Sequence, residues 1–543
     1  MENLRGTHGA LVVVCTCALV LSPMLFIGFL NDDIAFVQFS MKGEWPHPEQ
    51  LATRAELYSG IYYRPATSVS FMADFLLWGW NAFGFRLTNL AIHLLNTVFV
   101  FFLARRLFPS DLPVILSALF FGLHPLHETS LFWLPGRTDV LCAFFFLMSI
   151  LAFISYYKSR RLGTFVLSVA SAGAAFLSKE MAISLPVIIG LVAYYLGAQA
   201  GKRRLLTSAA YMLPSLSIIA SILLLRIILL DNNLFFDNNP VHSNVSPAHV
   251  IKNLASSIGL LSIPFGHYQI EQILSSSPML FFTLAVLVLG FAIVTVLRVH
   301  KEAPQLFFSL LFLLITLVPI GRLTMRWYLY IPSIGFCLGL AWGVEWVSRR
   351  SRIALAASIG LLLVYATVLV VNSAGWTRNG RLATDLIQDV LHKVDLIEDK
   401  AISFLVIPSR TGTIPLFQLG FPQMVQHELR TSIPVIIFSK VVLDEYPGTV
   451  RTAFDSTSGA WIVSIERGGY FMLDNPSFIS KRQAASPGLR FIEPEAEVTI
   501  LSLTPSGRPN ALSIRPLIST AKGSLVSFDG EQFVKLSGSA SSP

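Results

Sequence analysis

Charged side chains are scarce in this sequence. Only 13% of the 543 residues are Asp, Glu, Lys or Arg, whereas 53% are hydrophobic, and soluble domains average about 25% charged residues. This shortage excludes an ordinary soluble protein and predicts a polytopic membrane protein. Lys and Arg outnumber Asp and Glu by 40 to 32, but they cluster in short connections between apolar runs. The positive excess therefore indicates membrane topology and predicts no nucleic-acid partner.

Cysteine is also rare. Because all four cysteines lie in apolar runs, their placement excludes both a disulfide framework and a thiolate metal site. We interpret them as core-type residues. They are Cys15, Cys17, Cys142 and Cys337. The sequence has no internal repeat of fixed period, so it does not predict a repeat array.

Long apolar runs dominate the first two thirds of the chain. A helix needs about twenty mostly apolar residues to cross a hydrocarbon core about 30 Å thick. By this rule the sequence predicts about eleven spans, of which the third and fifth are short. The runs are Leu11–Leu30, Leu87–Leu103, Leu112–Leu123, Val140–Tyr156, Thr164–Leu177, Ala182–Leu196, Leu205–Leu230, Leu280–Leu297, Leu306–Ile320, Leu329–Trp346 and Ile353–Val371.

Basic residues in every second connection set the predicted orientation, because such clusters favour the cytoplasmic side. An odd number of spans then places the N-terminus in the cytoplasm and the C-terminal region outside. The first run is too long for a signal peptide and no cleavage pattern follows it, so we expect an uncleaved anchor. The clusters are Arg105–Arg106, Lys158/Arg160/Arg161, Lys202–Arg204, Arg298/Lys301 and Arg349/Arg350/Arg352.

We assign residues 1–374 to a transmembrane domain and residues 375–543 to an extracytoplasmic α+β domain. Outer loops 31–86 and 231–275 are rich in aromatic or amphipathic stretches that favour the headgroup region, and Val250–Phe265 is predicted as a re-entrant or interfacial helix. The C-terminal domain combines an amphipathic helix with short strand-like runs broken by Pro, Gly and Ser. These elements include Arg381–Asp399 as the helix, and Ile402–Ile407, Val435–Val442, Ala460–Ile465 and Phe533–Leu536 as strands.

Asp32 and Asp33 stand where the first apolar run ends. Two adjacent carboxylates at a membrane face repel one another and are costly to desolvate, so one of them would keep a proton more readily than an isolated carboxylate. That property suits a general base. The alternative is a pair of solvated residues that only marks where the helix leaves the lipid.

Other unusual polar groups lie at the predicted outer ends of the spans. Ionisable groups at membrane depth usually face a cavity or one another, so we expect an outward-facing polar cavity. Arg and Lys would hold a phosphate there, while a carboxylate takes a proton from an attacking hydroxyl. Arg137 with Asp139, and Lys179 with Glu180, are alternatively ion pairs that lock loops, and Arg86 is expected to anchor a headgroup. The candidates are Arg64, His124, His127, Glu128, Arg137, Asp139, Lys179, Glu180, Arg326 and Tyr328.

His124 and His127 have the spacing of residues that share a helical face, which can suit a metal ion. The order differs from the zinc-protease sequence His-Glu-x-x-His, and Pro125 interrupts a helix at this point. We therefore favour structural or acceptor-site hydrogen bonding and predict no metal ion there.

Seven short motifs follow one another between about residues 25 and 380. They are Asp32-Asp33, Tyr63-Arg64-Pro65, Asn89 with His93-Leu94-Leu95-Asn96, His124-Pro125-Leu126-His127-Glu128, Gly136-Arg137-Thr138-Asp139, Ser178-Lys179-Glu180 and Tyr330-Ile331-Pro332-Ser333-Ile334-Gly335. Together they resemble the membrane part of the GT-C glycosyltransferases, in particular the tetratricopeptide-carrying transmembrane O-mannosyltransferases and their bacterial relatives. The C-terminal region departs from that branch because it has no tetratricopeptide helices.

The resemblance implies an inverting glycosyltransferase that moves a sugar from a polyprenyl-phosphate carrier to an extracytoplasmic acceptor, which is a protein, a glycan or a lipid. It implies that Asp32 is the base with Asp33 beside it, and that Arg64 meets the donor phosphate with help from Lys179 and Arg326. The other candidates would line the cavity or contact the acceptor. No cofactor is assigned, and a divalent cation at the two aspartates is left open.

Two other functions fit parts of the pattern. A flippase for a lipid-linked glycan would line its path with similar charges, although such proteins usually place them near the middle of the spans in two related halves. A non-catalytic scaffold would bind a partner through the outer domain. The simple outer domain indicates a bacterial inner-membrane protein in contact with membrane lipid, with that domain in the periplasm.

Overall fold

The structure is a computed structural model, which describes most of the chain up to residue 394 and a series of shorter segments beyond it. The described residues are 2–41, 63–197, 204–229, 247–262, 283, 303–320, 325–394, 401–408, 410–411, 414–417, 420–437, 441–443, 449–467, 471–473, 486–492, 496–505, 507–517, 524–529 and 532–536.

The described part of the chain before residue 395 is largely helical. Its α-helices are α1 (Glu2–Leu21), α2 (Asp33–Met41), α3 (Pro65–Trp78), α4 (Ala82–Leu107), α5 (Asp111–Gly122), α6 (Glu128–Phe132), α7 (Arg137–Ser159), α8 (Leu162–Ser178), α9 (Leu185–Leu196), α10 (Arg204–Leu229), α11 (Pro247–Ser262), α12 (Pro304–Leu317), α13 (Pro332–Ser348) and α14 (Ile353–Leu391). Short 3-10 turns connect several of them, at Ser22–Phe26, Pro125–His127, Leu134–Gly136, Glu180–Ser184, Val318–Ile320 and Arg326–Leu329.

Each predicted apolar run overlaps a helix, except Leu280–Leu297, which lies outside the described residues apart from residue 283. Among the described residues, five helices are long and apolar enough to cross a membrane, and three further apolar helices are shorter. The chain is therefore an integral membrane protein. The five are Thr7–Phe26, Ala82–Leu107, Leu134–Ser159, Arg204–Ile228 and Ile353–Val390, and the shorter ones are Leu162–Ser178, Glu180–Leu196 and Pro304–Ile320.

Two helix boundaries differ from the prediction. Helix α1 ends at Leu21 because Pro23 begins a 3-10 turn, so the first apolar run does not continue as one helix to Leu30. Helix α14 continues unbroken for 39 residues, and the amphipathic helix predicted from Arg381 begins within its last three turns. No proline interrupts α14, which explains why the two predicted elements are one.

The chain divides into two compact units. The first takes its described residues from 1–27, 39–236 and 244–374, and the second from 28–38 and 375–543. Residues 28–38 carry Asp32 and Asp33, so these two carboxylates group with the C-terminal residues. The sequence analysis had assigned them to the transmembrane domain.

Apolar packing and close helix contacts build the core of the first unit. The helix predicted at Val250–Phe265 is present as α11, and its Leu260 and Leu261 pack with Leu313 and Leu317 of α12. Helices α12 and α13 approach closely at Gly335, where an added Cβ would lie 2.6 Å from the backbone nitrogen of Leu313. A glycine is therefore required at this contact.

The described residues of the second unit include helix α15 (Phe421–Glu428) and four β-sheets. A four-stranded sheet has the order β14-β13-β1-β5, in which β1 runs parallel to both neighbours, and a five-stranded antiparallel sheet has the order β10-β11-β12-β8-β7. Smaller sheets have the orders β2-β6-β9 and β3-β4. The strands are β1 (Ile402–Phe404), β2 (Ile407–Pro408), β3 (Arg410–Thr411), β4 (Ile414–Pro415), β5 (Val435–Ile437), β6 (Val441–Leu443), β7 (Thr449–Asp455), β8 (Ala460–Arg467), β9 (Phe471–Leu473), β10 (Arg490–Ile492), β11 (Ala496–Leu503), β12 (Pro509–Pro516), β13 (Ser524–Phe528) and β14 (Phe533–Lys535).

Candidate functional site

Five charged side chains form a cluster in the first unit, which we call the charged cluster. Each lies at or near the end of a helix. Arg64 precedes Pro65 at the start of α3, and Asp139 is in the first turn of α7. Lys179 and Glu180 occupy the break after α8, and Arg226 is in the last turn of α10. The cluster is Arg64, Asp139, Lys179, Glu180 and Arg226.

Lys179 and Asp139 form a buried ion pair. The Nζ atom of Lys179 lies 2.5 Å from Oδ2 of Asp139, and 3% and 4% of the two side chains are exposed. The ammonium group also lies 3.5 Å from Oγ1 of Thr138 and 4.5 Å from the centre of the Tyr328 ring. Burial lowers the pKa of Lys179, and the Asp139 carboxylate opposes that shift.

Glu180 joins the two arginines of the cluster. Its Oε2 atom accepts hydrogen bonds from Nε and Nη2 of Arg64, at 3.1 and 2.9 Å. Its Oε1 atom lies 3.8 Å from Nη1 of Arg226. Glu180 therefore holds two guanidinium groups from separate helices at one point.

Cations outnumber carboxylates among the described members of the charged cluster. Three cations and two carboxylates lie within ion-pair reach of one another. Lys179, Asp139 and Arg226 are nearly fully buried, whereas 11% of the Arg64 side chain and 24% of the Glu180 side chain are exposed. Arg64 also acts electrostatically on Lys179. A partly open cluster of fixed cations in a low-dielectric surrounding is suited to bind an anion such as a phosphate.

The ion pairs considered from the sequence are formed with other partners. Arg137 pairs with Asp74 of α3, with Nη2 and Oδ2 2.5 Å apart, and not with Asp139. Lys179 pairs with Asp139 and not with Glu180. Arg137 and Asp139 are two positions apart on α7 and do not face each other, which explains why they do not pair.

Arg137 is completely buried and is fully occupied by structural contacts. Its Nε donates to Oδ1 of Asn89 at 2.6 Å, Nη2 donates to the carbonyl of Phe85 at 2.9 Å, and the guanidinium lies 4.4 Å from the centre of the Phe71 ring. It therefore fixes α3, α4 and α7 to one another, and the prediction that it lines the cavity is not supported. Arg86 is likewise buried and donates to the carbonyls of Ile27 and Phe132, so its predicted role as a headgroup anchor is wrong.

The histidines of the second outer connection make structural hydrogen bonds. Nδ1 of His124 accepts from the N–H of Leu126 at 3.2 Å, and its Nε2 donates to the carbonyl of Leu261 at 3.1 Å. Nε2 of His127 lies 2.9 Å from Oγ of Ser333. Burial lowers the pKa of both imidazoles, so both are neutral near pH 7. The described residues contain no group of three His, Cys, Asp or Glu side chains that could hold a metal ion.

The remaining candidates of the first unit, Glu128, Arg326 and Tyr328, have different surroundings. The Nδ2 group of Asn372 donates to Glu128, which begins α6. Arg326 is nine-tenths buried, and within the described part of the chain its Nε has no hydrogen-bond partner. Tyr328 lies in the same 3-10 turn as Arg326, and its ring contacts Lys179.

Asp32 and Asp33 lie in the second unit, where Asp32 ends a tight turn and Asp33 is the first residue of α2. Asn31 has a φ of 53°, and its N–H donates to the carbonyl of Leu416 at 3.2 Å. Oδ2 of Asp33 accepts from the N–H of Leu30 at 3.1 Å, and Oδ1 of Asp32 accepts from Nδ2 of Asn31 at 3.0 Å. The two carboxylates are no more than 1% exposed, so they are not solvated end residues. A divalent cation at this pair stays the open alternative that the sequence offered.

Asp74 and Arg226 were not predicted as site residues from the sequence. Both are single ionisable residues inside otherwise apolar stretches, and both are at most 4% exposed. An isolated charge within an apolar helix is a signal of a buried partner, because an unpaired charge is costly to desolvate. That signal was present at Arg226, which follows a run of leucine and isoleucine residues.

Comparison with known proteins identifies relatives of part of the chain. Residues 70–226 match the family described as dolichyl-phosphate-mannose-protein mannosyltransferase. Protein O-mannosyl-transferase Tmtc1 of Drosophila melanogaster is 33% identical over 129 residues, which cover 24% of this chain and 15% of that protein. Protein O-mannosyl-transferase TMTC3 of Mus musculus is 29% identical over 219 residues, or 36% of this chain and 21% of that protein. The chain therefore spans about a fifth of the length of these curated relatives.

A solved structure is also similar. The crystal structure of ArnT from Cupriavidus metallidurans bound to undecaprenyl phosphate covers 79% of this chain and 85% of its own, with 16% sequence identity and a TM-score of 0.43. The sequence matches confirm the predicted resemblance to the transmembrane O-mannosyltransferases. The matched segment contains four members of the charged cluster, and Arg64 lies just before it.

Proposed function

We propose that this chain is an inverting membrane glycosyltransferase that moves a sugar from a polyprenyl-phosphate carrier to an extracytoplasmic acceptor. The charged cluster is the observation that carries the proposal. It combines three cations with two carboxylates at the ends of membrane helices, and most of it lies within the segment that matches the mannosyltransferase family. Clusters of this kind are costly to bury and usually mark a functional site.

The cationic members of the cluster would bind the donor phosphate. Arg64 is partly exposed, so it would contact the phosphate directly. The more deeply buried Lys179 and Arg226 would add positive charge to the site. When the bond between the anomeric carbon and the phosphate oxygen breaks, negative charge grows on the leaving polyprenyl phosphate. Fixed cations in a site that excludes water stabilise that charge in the transition state.

A carboxylate would activate the acceptor. By the family resemblance, Asp32 takes the proton of the acceptor hydroxyl while its oxygen attacks the anomeric carbon, and Asp33 supports it from the next position. One displacement by the acceptor on the face opposite the leaving phosphate inverts the anomeric centre. The resemblance supports this assignment, and the burial of both carboxylates is compatible with it.

The proposed location is the bacterial inner membrane, with the N-terminus in the cytoplasm and the C-terminal unit in the periplasm. The alternation of basic clusters along the sequence supports this orientation. The long polyprenyl tail of the donor would remain in the bilayer beside the apolar helices, while the sugar and the acceptor meet at the outer face.

A reconstitution experiment tests the proposal. The purified chain in sealed vesicles receives a panel of radiolabelled polyprenyl-phosphate sugars, together with an acceptor fraction from cells that lack this chain. We expect label to move from the lipid to an acceptor, with release of polyprenyl phosphate. Movement of the intact labelled lipid across the bilayer without transfer would contradict the proposal and favour a flippase, and the absence of both would favour a scaffold.

A further inference from the structure

A second candidate site lies between α9, α10 and α12, in the first unit. It is a cavity of about 630 Å³ whose walls are apolar, and we call it the interhelical groove. Its apolar lining includes Val187, Leu191, Leu205, Met212, Leu311 and Ile315. Gly190 also lines the groove and holds α9 close to α10, because an added Cβ would lie 2.8 Å from Cγ of Met212.

Among the described residues, one cationic group lines the groove. Arg204, the first residue of α10, is half-buried. Its Nε donates to the carbonyl of Tyr194 at 2.6 Å, and its guanidinium lies 3.7 Å from the centre of the Tyr194 ring. Within the described part of the chain no partner is found for its two Nη groups. The guanidinium is therefore held in place and still has donors for a ligand.

The groove opens at the outer surface of the apolar helices. Two of its lining residues, Leu205 and Val187, keep 69% and 42% of their surface exposed. Arg160, which follows α7, contacts α10 near the groove, since its Nη1 lies 2.5 Å from the hydroxyl of Tyr211. Arginine and tyrosine side chains beside apolar helix surfaces are typical of the headgroup region of a membrane.

This groove is separate from the charged cluster. Arg204 and Arg226 lie at opposite ends of α10, and their 22-residue separation corresponds to roughly 33 Å along a helix. That distance is about the thickness of the hydrocarbon core of a bilayer. A ligand at Arg204 would therefore occupy the other membrane face from a donor phosphate at the charged cluster.

We propose that the interhelical groove binds one anionic phospholipid, with its phosphate on Arg204 and an acyl chain between α9, α10 and α12. Basic pockets between membrane helices favour anionic lipids. Arg204 provides such a positive charge here, and Lys202 and Arg203 precede it in the sequence. The apolar walls select a ligand with a hydrocarbon chain over free phosphate.

Native mass spectrometry of the full chain tests this proposal, with phosphatidylglycerol and phosphatidylcholine of identical acyl chains added to delipidated protein. We expect the wild type to retain one phosphatidylglycerol in preference to phosphatidylcholine. Arg204→Gln should retain it about five- to tenfold more weakly, the effect of removing one charged contact. Ala209→Phe keeps the charge but fills the groove, and it should weaken retention by a similar factor. Glycerol phosphate, which has no acyl chain, should not be retained.

Arg350→Gln is the matched control. Arg350 follows α13 in another basic cluster, stacks on Trp346 and does not line the groove, so this variant should retain phosphatidylglycerol like the wild type. Equal retention of the two lipids, an equal loss in Arg350→Gln, or unchanged retention in both groove variants would overturn the proposal. If Arg204→Gln does not fold, the retention of phosphatidylglycerol by Ala209→Phe decides whether the groove is the binding site. The readout is lipid retention, so it is independent of any sugar transfer.

Discussion

The Nζ atom of Lys179 lies 2.5 Å from Oδ2 of Asp139, although 40 residues separate them in the sequence. The pair joins the break between α8 and α9 to the first turn of α7. Because neither side chain is more than 4% exposed, each charge depends on the other for compensation. The positions of Glu180 and Tyr328, which flank Lys179, therefore depend on this contact as well.

Removing one member of this pair should destabilise the protein strongly. Lys179→Met leaves the Asp139 carboxylate buried without its cation, and we expect the free energy of unfolding to fall by about 3–5 kcal/mol. The double variant Lys179→Met/Asp139→Leu should recover most of that loss, since no buried charge remains. Denaturation in detergent measures the free energy of unfolding of the single and the double variant. Arg349→Gln, which breaks an exposed pair with Glu345, should cost about 0–1 kcal/mol. A double variant no more stable than the single one would contradict this account.

Gly335 should not tolerate even a methyl group. An alanine Cβ would lie 2.6 Å from the nitrogen of Leu313 and 2.7 Å from the carbonyl oxygen of Ser309, so α13 would have to move away from α12. We expect Gly335→Ala to lower the free energy of unfolding by roughly 1–3 kcal/mol. On the same helix, an added Cβ at Gly343 meets no atom within 4 Å, and Gly343→Ala should stabilise by about 0.5–1 kcal/mol. Equal effects of the two substitutions would show that helix packing is not the cause.

The buried histidines should make stability depend on pH. Burial lowers the pKa of His124 and His127 below the value of about 6.5 that they regain on unfolding. The unfolded chain therefore binds more protons below pH 6.5, and the free energy of unfolding should fall as the pH decreases from 7 to 5. Melting temperatures across this range measure the slope. His127→Gln should flatten it, whereas replacing the exposed His8 with Gln should not. Parallel slopes for all three proteins would refute the prediction.

Asp32→Asn should separate catalysis from folding. The substitution keeps an acceptor oxygen for Nδ2 of Asn31 but removes the proposed base, so we expect the rate of sugar transfer to fall by about 10²–10⁴-fold with donor binding unchanged. The initial rate at saturating donor is the measurement. Asp111→Asn, at the exposed pair with Arg105, should keep the wild-type rate. A wild-type rate in Asp32→Asn would remove Asp32 from the mechanism.

Hydropathy and charge predicted much of the fold. Helices occupy every predicted apolar run that the structure describes, and strands occur where β-branched runs such as Ala460–Ile465 were found. Periodic patterns of this kind are local, so a single sequence contains them. Helix α1 ends where Pro23 follows it, and α14 is continuous because it contains no proline. Hydropathy alone does not take proline into account.

The sequence predicted the members of the charged cluster better than their partners. Arg64, Asp139, Lys179 and Glu180 were all singled out, but the pairing of Arg137 with Asp74 depends on how α3 packs against α7. The grouping of Asp32 with the C-terminal unit is also a tertiary effect. A Cβ on Gly380 of α14 would lie 3.1 Å from the backbone nitrogen of Gly28. The glycine at this position therefore allows the segment that leads to Asp32 to pack closely against α14.

Binding of polyprenyl phosphate to the purified chain tests the central claim most directly, because it needs no knowledge of the sugar or the acceptor. We predict that Arg64→Gln raises the Kd for polyprenyl phosphate by about 10–100-fold, the effect of removing hydrogen bonds to a charged group. Arg105→Gln, which removes an exposed arginine outside the charged cluster, should bind like the wild type. An unchanged Kd in Arg64→Gln, or an equal loss in Arg105→Gln, would contradict a donor-phosphate site at the charged cluster.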